Sequence, residues 1–224
     1  MMISWWILPI AVAVAGCSTG RIALKETDGI VFFGDSITEM GMGPKGYITL
    51  IKDTLARLYP SIQVTGAGIS GNKVTDLQQR VDRDVIAKNP TVVFIYIGIN
   101  DVWHAILPGH AGTSRDAYEN GLKEVIGKIK AADAHVVLCT PTVIGERWDR
   151  TNQLDLQLDE YAAISRRVAQ ATGSTLCDLR LAFIKYLVTH NPVNKESGVL
   201  TTDTVHMNDD GNRLIATEML KSLE

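Results

Sequence analysis

Short, unbroken apolar runs alternate along this chain with longer segments that are apolar on one face only. Five runs are predicted to be β-strands: 29–33, 62–67, 91–97, 134–140 and 174–178. A strand with one face in water would alternate apolar and polar residues, so the continuous runs indicate strands covered on both faces.

The segments between the runs repeat apolar residues at the spacing of one helical face. Four helices are predicted, with apolar stripes over 47–58, 118–129, 158–169 and 216–223. Thr113 or Ser114 can cap the second helix and Asn208-Asp209 the last, because short polar side chains accept the first backbone N–H groups of a helix. Pro60 ends the first.

The alternation of strands and helices predicts an α/β fold. Right-handed crossovers then give a parallel sheet layered between helices. In such sheets the functional groups collect beyond the carboxyl ends of the strands.

The composition argues against several classes of function. The chain has 224 residues and a formal net charge of −3, which fits one domain and offers no basic surface for nucleic acid or anionic lipid. The sequence contains neither a CxxC pair nor an HExxH motif, so we expect no metal site. Cys139 and Cys177 lie in apolar strand-like runs and are expected to be core thiols, because bridging two buried strands of a parallel sheet has poor geometry; a disulfide between them is the alternative that export would permit.

The N-terminal residues differ from the rest. Residues 5–16 are almost wholly apolar and have the length of a signal-peptide core. Val14-Ala15-Gly16-Cys17 resembles the lipobox of bacterial lipoproteins, in which the Cys is lipidated, although the first six residues contain no Lys or Arg. We therefore expect a signal peptide at 1–16, a tether at 17–28 and a catalytic domain at 29–224. The protein would be exported and held at a membrane by lipid on Cys17, with plain secretion as the alternative.

Residues typical of enzyme sites follow three predicted strands and precede the last helix. Ser36 follows the first strand in a Gly-Asp-Ser run, Gly71 lies in the glycine-rich segment after the second, and Asn100 follows the third. Asp203 and His206 stand three residues apart before the last helix. We expect all five to meet at one edge of the sheet.

These residue types suit acyl transfer. A Ser hydroxyl becomes a nucleophile when a base takes its proton, and His does this near neutral pH. We predict that Ser36 is the nucleophile, His206 its base and Asp203 the carboxylate that orients the imidazole. The backbone N–H groups of Ser36 and Gly71 and the amide of Asn100 are predicted to bind the oxyanion.

The same blocks resemble, in order, those of the SGNH, or GDSL-type, hydrolases. The residues that name that family fall on Ser36, Gly71, Asn100 and His206. The resemblance implies a flavodoxin-like three-layer α/β/α sandwich with a five-stranded parallel sheet. It also implies an esterase, lipase or carbohydrate acetylesterase that needs no cofactor or metal. The last block of the family commonly has Gly where Thr204 stands.

Three loops at the predicted active edge, 38–46, 102–113 and 142–153, are short and rich in glycine and polar residues, including Glu146. Trp103 and Trp148 are expected either to wall a small pocket or to serve as packing, and His104 is expected to be solvated. A long acyl chain needs an extended apolar surface. Acetyl to butyryl esters, and carbohydrate O-acetyl groups among them, are therefore the predicted substrates.

Two alternatives keep the same residues. An O-acyltransferase would use the same acyl-enzyme and pass the acyl group to a sugar, and a non-catalytic surface lipoprotein would bind glycan on this scaffold. The intact Ser36, Asp203 and His206 favour hydrolysis of a small-molecule or glycan ester. The oligomeric state is left open.

Overall fold

A computed structural model describes residues 20–224 of the protein, and its centre is a five-stranded sheet. The strands are β1 (Gly29–Gly34), β2 (Gln63–Gly68), β3 (Val92–Tyr96), β4 (His135–Cys139) and β5 (Thr175–Cys177). All pairings are parallel and the order is β2-β1-β3-β4-β5, which is the flavodoxin-like order. The predicted fold class is confirmed, and each strand lies within one residue of its predicted bounds.

The two edge strands depart from the predicted burial. β1, β3 and β4 are almost completely buried, as continuous apolar runs predict. β2 and β5 are partly exposed, and Leu176 in β5 is 39% exposed. An edge strand has a neighbour on one side only, which leaves its outer side open to solvent.

Eight α-helices accompany the sheet in the described residues: α1 (Ser36–Met40), α2 (Tyr47–Ala56), α3 (Val74–Asp84), α4 (Ile99–Trp103), α5 (Arg115–Ala131), α6 (Asp155–Thr172), α7 (Leu179–His190) and α8 (Asp209–Leu220). α3, α5 and α6 pack side by side in one layer, and α2, α8 and α7 in the other. Ser114 and Asn208 cap α5 and α8 as predicted. The short helices α1 and α4 and the longer α3 and α7 were not predicted from the apolar pattern. Leu58 is exposed because α2 ends before it.

The described chain starts in contact with its own C-terminus. Ile22 and Leu24 donate backbone hydrogen bonds to Ser222 and Glu224, and Ile22 is buried. Packing on the domain therefore begins inside the segment that the sequence analysis assigns to the tether. The predicted signal peptide at 1–16 and the predicted lipidation site Cys17 lie outside the described residues.

The two cysteines of the described chain are neighbours in the sheet. Cys139 and Cys177 stand opposite each other in the β4–β5 register, and both are buried free thiols, as expected. Burial raises the pKa of the Cys139 thiol well above its ordinary value. Both therefore act as core residues.

Candidate active site

Ser36 stands just beyond the end of β1, an inner strand of the sheet, where the chain turns into α1. Asp35 caps this short helix by accepting the backbone N–H of Ile37 at 3.0 Å. Gly34 is required just before the turn, because a Cβ there would lie 2.3 Å from the carbonyl oxygen of Tyr96. Ser36 is consequently the first residue of α1, held rigidly at the carboxyl edge of the sheet.

A continuous series of hydrogen bonds joins Ser36 to Asp203. Ser36 Oγ lies 2.9 Å from His206 Nε2, and His206 Nδ1 lies 2.7 Å from Asp203 Oδ2. A carboxylate can only accept hydrogen bonds, so Nδ1 donates and Nε2 is left to accept from the Ser36 hydroxyl. The three residues predicted to act together are thus in contact, in the order that proton transfer from a Ser requires.

Asp203 also shapes the loop that carries His206. Its Oδ1 accepts the backbone N–H groups of Val205 at 3.1 Å and His206 at 2.7 Å. Burial raises the pKa of Asp203, but the hydrogen bonds from the His206 ring and these backbone groups outweigh it and hold the pKa below its ordinary value. Asp203 is therefore ionised at neutral pH, the state needed to stabilise an imidazolium.

The predicted oxyanion donors follow β1, β2 and β3, three adjacent strands. Gly71 has φ of +79°, a conformation that favours glycine, and open space where a Cβ would project. Asn100 is buried, and its Nδ2 donates to the carbonyl of Asn72 at 3.0 Å. A side-chain amide has two N–H donors, so this bond braces the Gly71 segment and leaves one donor for an oxyanion.

Two buried carboxyl groups brace the same edge. Besides Asp35, Asp101 accepts the backbone N–H of Val74. Burial raises the pKa of Asp35 to about 7, with the Asp101 charge adding to the rise, and burial raises the pKa of Asp101 to about 6. Both groups accept hydrogen bonds from backbone amides and so hold the loops at this edge in place.

Arg80 on α3 is a residue that the sequence analysis missed. It is almost fully buried and donates to the carbonyls of Gly34 at 2.6 Å and Ala67 at 2.9 Å, and to the side chain of Asn72 at 2.7 Å. Asp84 balances its charge at 2.9 Å. Arg80 thereby ties the ends of β1 and β2 to the segment that carries Gly71. The sequence did hold a signal for its burial, because Arg80 lies on the same helical face as the apolar Leu77 and Val81.

The two predicted pocket tryptophans differ in position. The Trp103 ring stands nearly perpendicular to the His206 ring, with centroids 6.5 Å apart. Trp148 instead donates from Nε1 to the carbonyl of Asn191 at 2.8 Å. His104, expected to be solvated, is instead only 9% exposed, with its ring 4.8 Å from that of His110, and its burial lowers its pKa.

A small cleft of about 170 Å³ adjoins Trp103. It is lined by Trp103, Ile106, Ile144, Gly145, Asn152, Gln153, Leu154, Glu196 and Thr204. A larger cavity of about 640 Å³ lies along β5 and α6, and none of the predicted site or pocket residues lines it. Ser36 and His206 do not line the smaller cleft, which adjoins them through Trp103, whose ring lies beside that of His206, and through Thr204 in the turn that carries His206. Within residues 20–224 no cluster of three or more His, Cys, Asp or Glu is arranged to hold a metal ion, and no helix is long and apolar enough to span a membrane.

Comparisons with known proteins agree with this geometry. The family model of the GDSL-like lipase/acylhydrolase family matches residues 32–214. An acetylxylan esterase of Geobacillus stearothermophilus is 32% identical over 210 residues, which cover 87% of this chain and 93% of the relative. The crystal structure of an acetyl xylan esterase, AlAXEase, has a TM-score of 0.85 at 42% identity and covers 88% of this chain and 100% of that one.

Solved structures of the Geobacillus acetylxylan esterase include catalytic mutants in which one Ser, one Asp or one His is replaced by Ala. The Ser mutant has a TM-score of 0.77 at 30% identity and covers 88% of this chain and 95% of that one. From the fold, the Ser–His–Asp contacts and these likenesses together, it follows that the chain belongs to the GDSL-like lipase/acylhydrolase family and is a carboxylic ester hydrolase.

Proposed function

We propose that the protein removes acetyl groups from a carbohydrate through an acyl-enzyme on Ser36. The observation that carries the proposal is the hydrogen-bonded series from Ser36 through His206 to Asp203. The Geobacillus relative lends support, because it is an acetylxylan esterase and its catalytic mutants change the same three residue types. Membership in an ester hydrolase family argues against the non-catalytic alternative.

The reaction has two halves. His206 Nε2 takes the Ser36 proton as Oγ attacks the acetyl carbonyl, and the oxyanion accepts bonds from the Ser36 and Gly71 N–H groups and the Asn100 amide. His206 then gives its proton to the departing sugar oxygen as the C–O bond breaks. In the second half His206 takes a proton from water, the resulting hydroxide attacks the acetyl-enzyme, and Ser36 leaves with its proton restored as acetate is released.

The proton transfer to the leaving group also indicates where the sugar lies. The leaving oxygen must reach Nε2, so the sugar ring must sit beside the His206 imidazole. Trp103 stands next to that imidazole, and the cleft continues past Trp103 towards Ile106 and Gln153. An indole face suits stacking on a pyranose, and the cleft is smaller than the roughly 300–1,000 Å³ of sites for drug-sized ligands. We propose this cleft as the sugar subsite, while Trp148 stays a predicted pocket residue.

The test is the rate of acetate release from acetylated xylo-oligosaccharides, together with kcat/KM for p-nitrophenyl esters with two to twelve acyl carbons. We expect sugar deacetylation and a maximum at acetyl to butyryl. A maximum at eight carbons or beyond would contradict the short-chain proposal, and hydrolysis of the chromogenic esters without sugar deacetylation would contradict the substrate class.

The same assay separates hydrolysis from acyl transfer. Both reactions share the acyl-enzyme and differ in the acceptor, so products are compared with and without an added unacetylated xylo-oligosaccharide. We expect free acetate in both cases. An acetylated acceptor as the main product would identify an O-acyltransferase.

We also propose export as a lipoprotein, which is supported by the apolar segment and the Val-Ala-Gly-Cys run at its end. Cys17→Ser should release the full chain from the membrane fraction of a bacterial host. The Cys177→Ser variant, which alters a thiol inside the domain, is the control and should stay membrane-bound. Retention of Cys17→Ser in membranes would overturn the proposal.

A further inference from the structure

We propose that Glu146 is a positioning residue that holds the loop carrying Asp203 and His206 in its active arrangement, an inference that rests on the proposed function. Residues 196–206 are here named the acid–base loop. The Glu146 side chain is completely buried. Its carboxylate accepts the backbone N–H groups of Val199 at 2.8 Å and Leu200 at 2.7 Å, and both the backbone N–H and the hydroxyl of Thr201.

These bonds fix the base of the acid–base loop. Three consecutive backbone N–H groups that converge on one carboxylate leave little freedom in their dihedral angles. The last of these three residues, Thr201, also forms an antiparallel bridge with Met207. The N–H of the next residue, Thr202, donates to the carbonyl of His206 at 2.8 Å. Asp203 and His206 therefore sit in a closed turn whose first strand is held by Glu146.

The backbone of Gly145 and Glu146 bonds to the same loop at two further points. The Gly145 N–H donates to the carbonyl of Thr204 at 2.9 Å, at the tip of the turn between Asp203 and His206. The Glu146 N–H donates to the carbonyl of Glu196 at 2.8 Å. The segment after β4 thus holds the base and the tip of the acid–base loop together.

The energetics make the carboxylate hard to replace. A buried carboxylate is tolerated when hydrogen bonds replace its hydration, and the four side-chain bonds described for Glu146 all come from the acid–base loop. Glu146→Gln replaces one carboxylate oxygen with an amide N–H₂ group. That group can only donate, so it would face the N–H donors of the loop without forming hydrogen bonds to them. The base of the loop would have to move, and His206 with it. Displacements of about 1 Å at a reacting group can cost about 10²-fold in rate.

The test compares Glu146→Gln with Glu160→Gln, the same substitution in an exposed ion pair with Arg115. For Glu146→Gln we expect kcat on p-nitrophenyl acetate to fall about 10- to 100-fold with KM little changed. The downfield proton NMR signal of His206 Nδ1–H should weaken or disappear. Glu160→Gln should keep both. A folded Glu146→Gln protein with wild-type kcat and an intact Nδ1–H signal would overturn the proposal.

A second pair of variants covers the case in which Glu146→Gln does not fold. Thr201→Val removes one of the four donors, whereas Thr201→Ser keeps the hydroxyl. Loss of kcat and of the Nδ1–H signal in Thr201→Val, with recovery in Thr201→Ser, supports positioning, and equal behaviour of the two variants contradicts it. The NMR signal reports the Asp203–His206 bond without any turnover, so failure of the esterase proposal would be seen separately.

Discussion

The two halves of the candidate site are built differently. Ser36, Gly71 and Asn100 follow three neighbouring strands, and the register of those strands sets Gly34 opposite both Gly68 and Tyr96. Asp203 and His206 belong to no strand of the sheet and lie in a loop beyond its edge. Backbone pairing thus places the first half, whereas the second depends on side-chain and turn hydrogen bonds.

The residues of the two halves also differ in how far they are exposed to solvent. Ser36 is 7% exposed and Asn100 3% exposed, while the side chain of Asp203 is 52% exposed. The sheet-edge half is rigid because many buried contacts support it, and the acid–base loop depends on a few groups, Glu146 above all. We therefore expect changes at the sheet edge to act on the chemical step, and changes in the loop to act on geometry and stability as well.

The largest expected effect is at the nucleophile. Ser36→Ala should lower kcat by about 10⁴-fold or more without loss of folding, as replacement of a triad member does. Steady-state kinetics and circular dichroism on the purified protein measure this, with the exposed Ser61→Ala as a matched control that should retain wild-type rates. A Ser36→Ala variant that kept a tenth of the wild-type turnover would exclude Ser36 as nucleophile.

The next effect is at the oxyanion donor. Asn100→Ala should lower kcat by about 10² to 10³, because one transition-state donor is lost while substrate binding is little affected. The bond from Asn100 to the Asn72 carbonyl is lost as well, which loosens the Gly71 segment. Separate values of kcat and KM decide the role, since a change confined to KM would make Asn100 a substrate-binding residue.

Asp35 in the sheet-edge half and Asp203 in the loop should make the free energy of unfolding depend on pH with opposite sign. The pKa of Asp35 is about 7 in the folded protein against an ordinary 3.8, so the native state binds more protons than the unfolded state between those values. The free energy of unfolding should then fall as pH rises from about 4 to 7, by at most about 1.4 kcal/mol per pH unit. The pKa of Asp203 is lowered, so its contribution is present above the ordinary pKa and is lost as pH falls towards the lowered one.

Asp35→Asn isolates the first of these contributions, because Asn cannot ionise. Urea unfolding at several pH values should show the variant losing less stability than wild type between about pH 4 and 7. Parallel curves for the two proteins would mean that the pKa of Asp35 is not raised in the folded state.

The smallest effect expected is a gain in the loop. Thr204 has φ of +81°, which is strained for a β-branched residue and free of strain for Gly. Thr204→Gly should therefore raise the free energy of unfolding by about 0.5–1 kcal/mol after the entropy cost of Gly is subtracted. Thr202→Gly, at a residue without positive φ, should destabilise by a similar amount. Thermal unfolding tests both, and a loss of stability in Thr204→Gly would show that the Thr side chain contributes more than the strain costs.

Much of the protein could be predicted from local sequence. Apolar runs locate the five strands, of which β1, β3 and β4 are buried as a continuous run predicts, and the alternation with helices restricts their arrangement to a parallel sheet. That arrangement brings the strand-end residues Ser36, Gly71 and Asn100 to one edge. The spacing of Asp203 and His206 likewise predicts their contact, since a single turn brings carboxylate and imidazole together.

The tertiary structure decided what holds these residues in place. Glu146 and Arg80 are charged, and by composition each suggests a solvated surface, yet both are buried because distant backbone groups replace their hydration. Those partners come from segments up to 55 residues away, and no local pattern encodes which N–H or carbonyl groups will be left without partners when loops close. The sequence by itself determined the fold and predicted the reacting groups, whereas the residues that support their arrangement emerged only when the loops packed against one another.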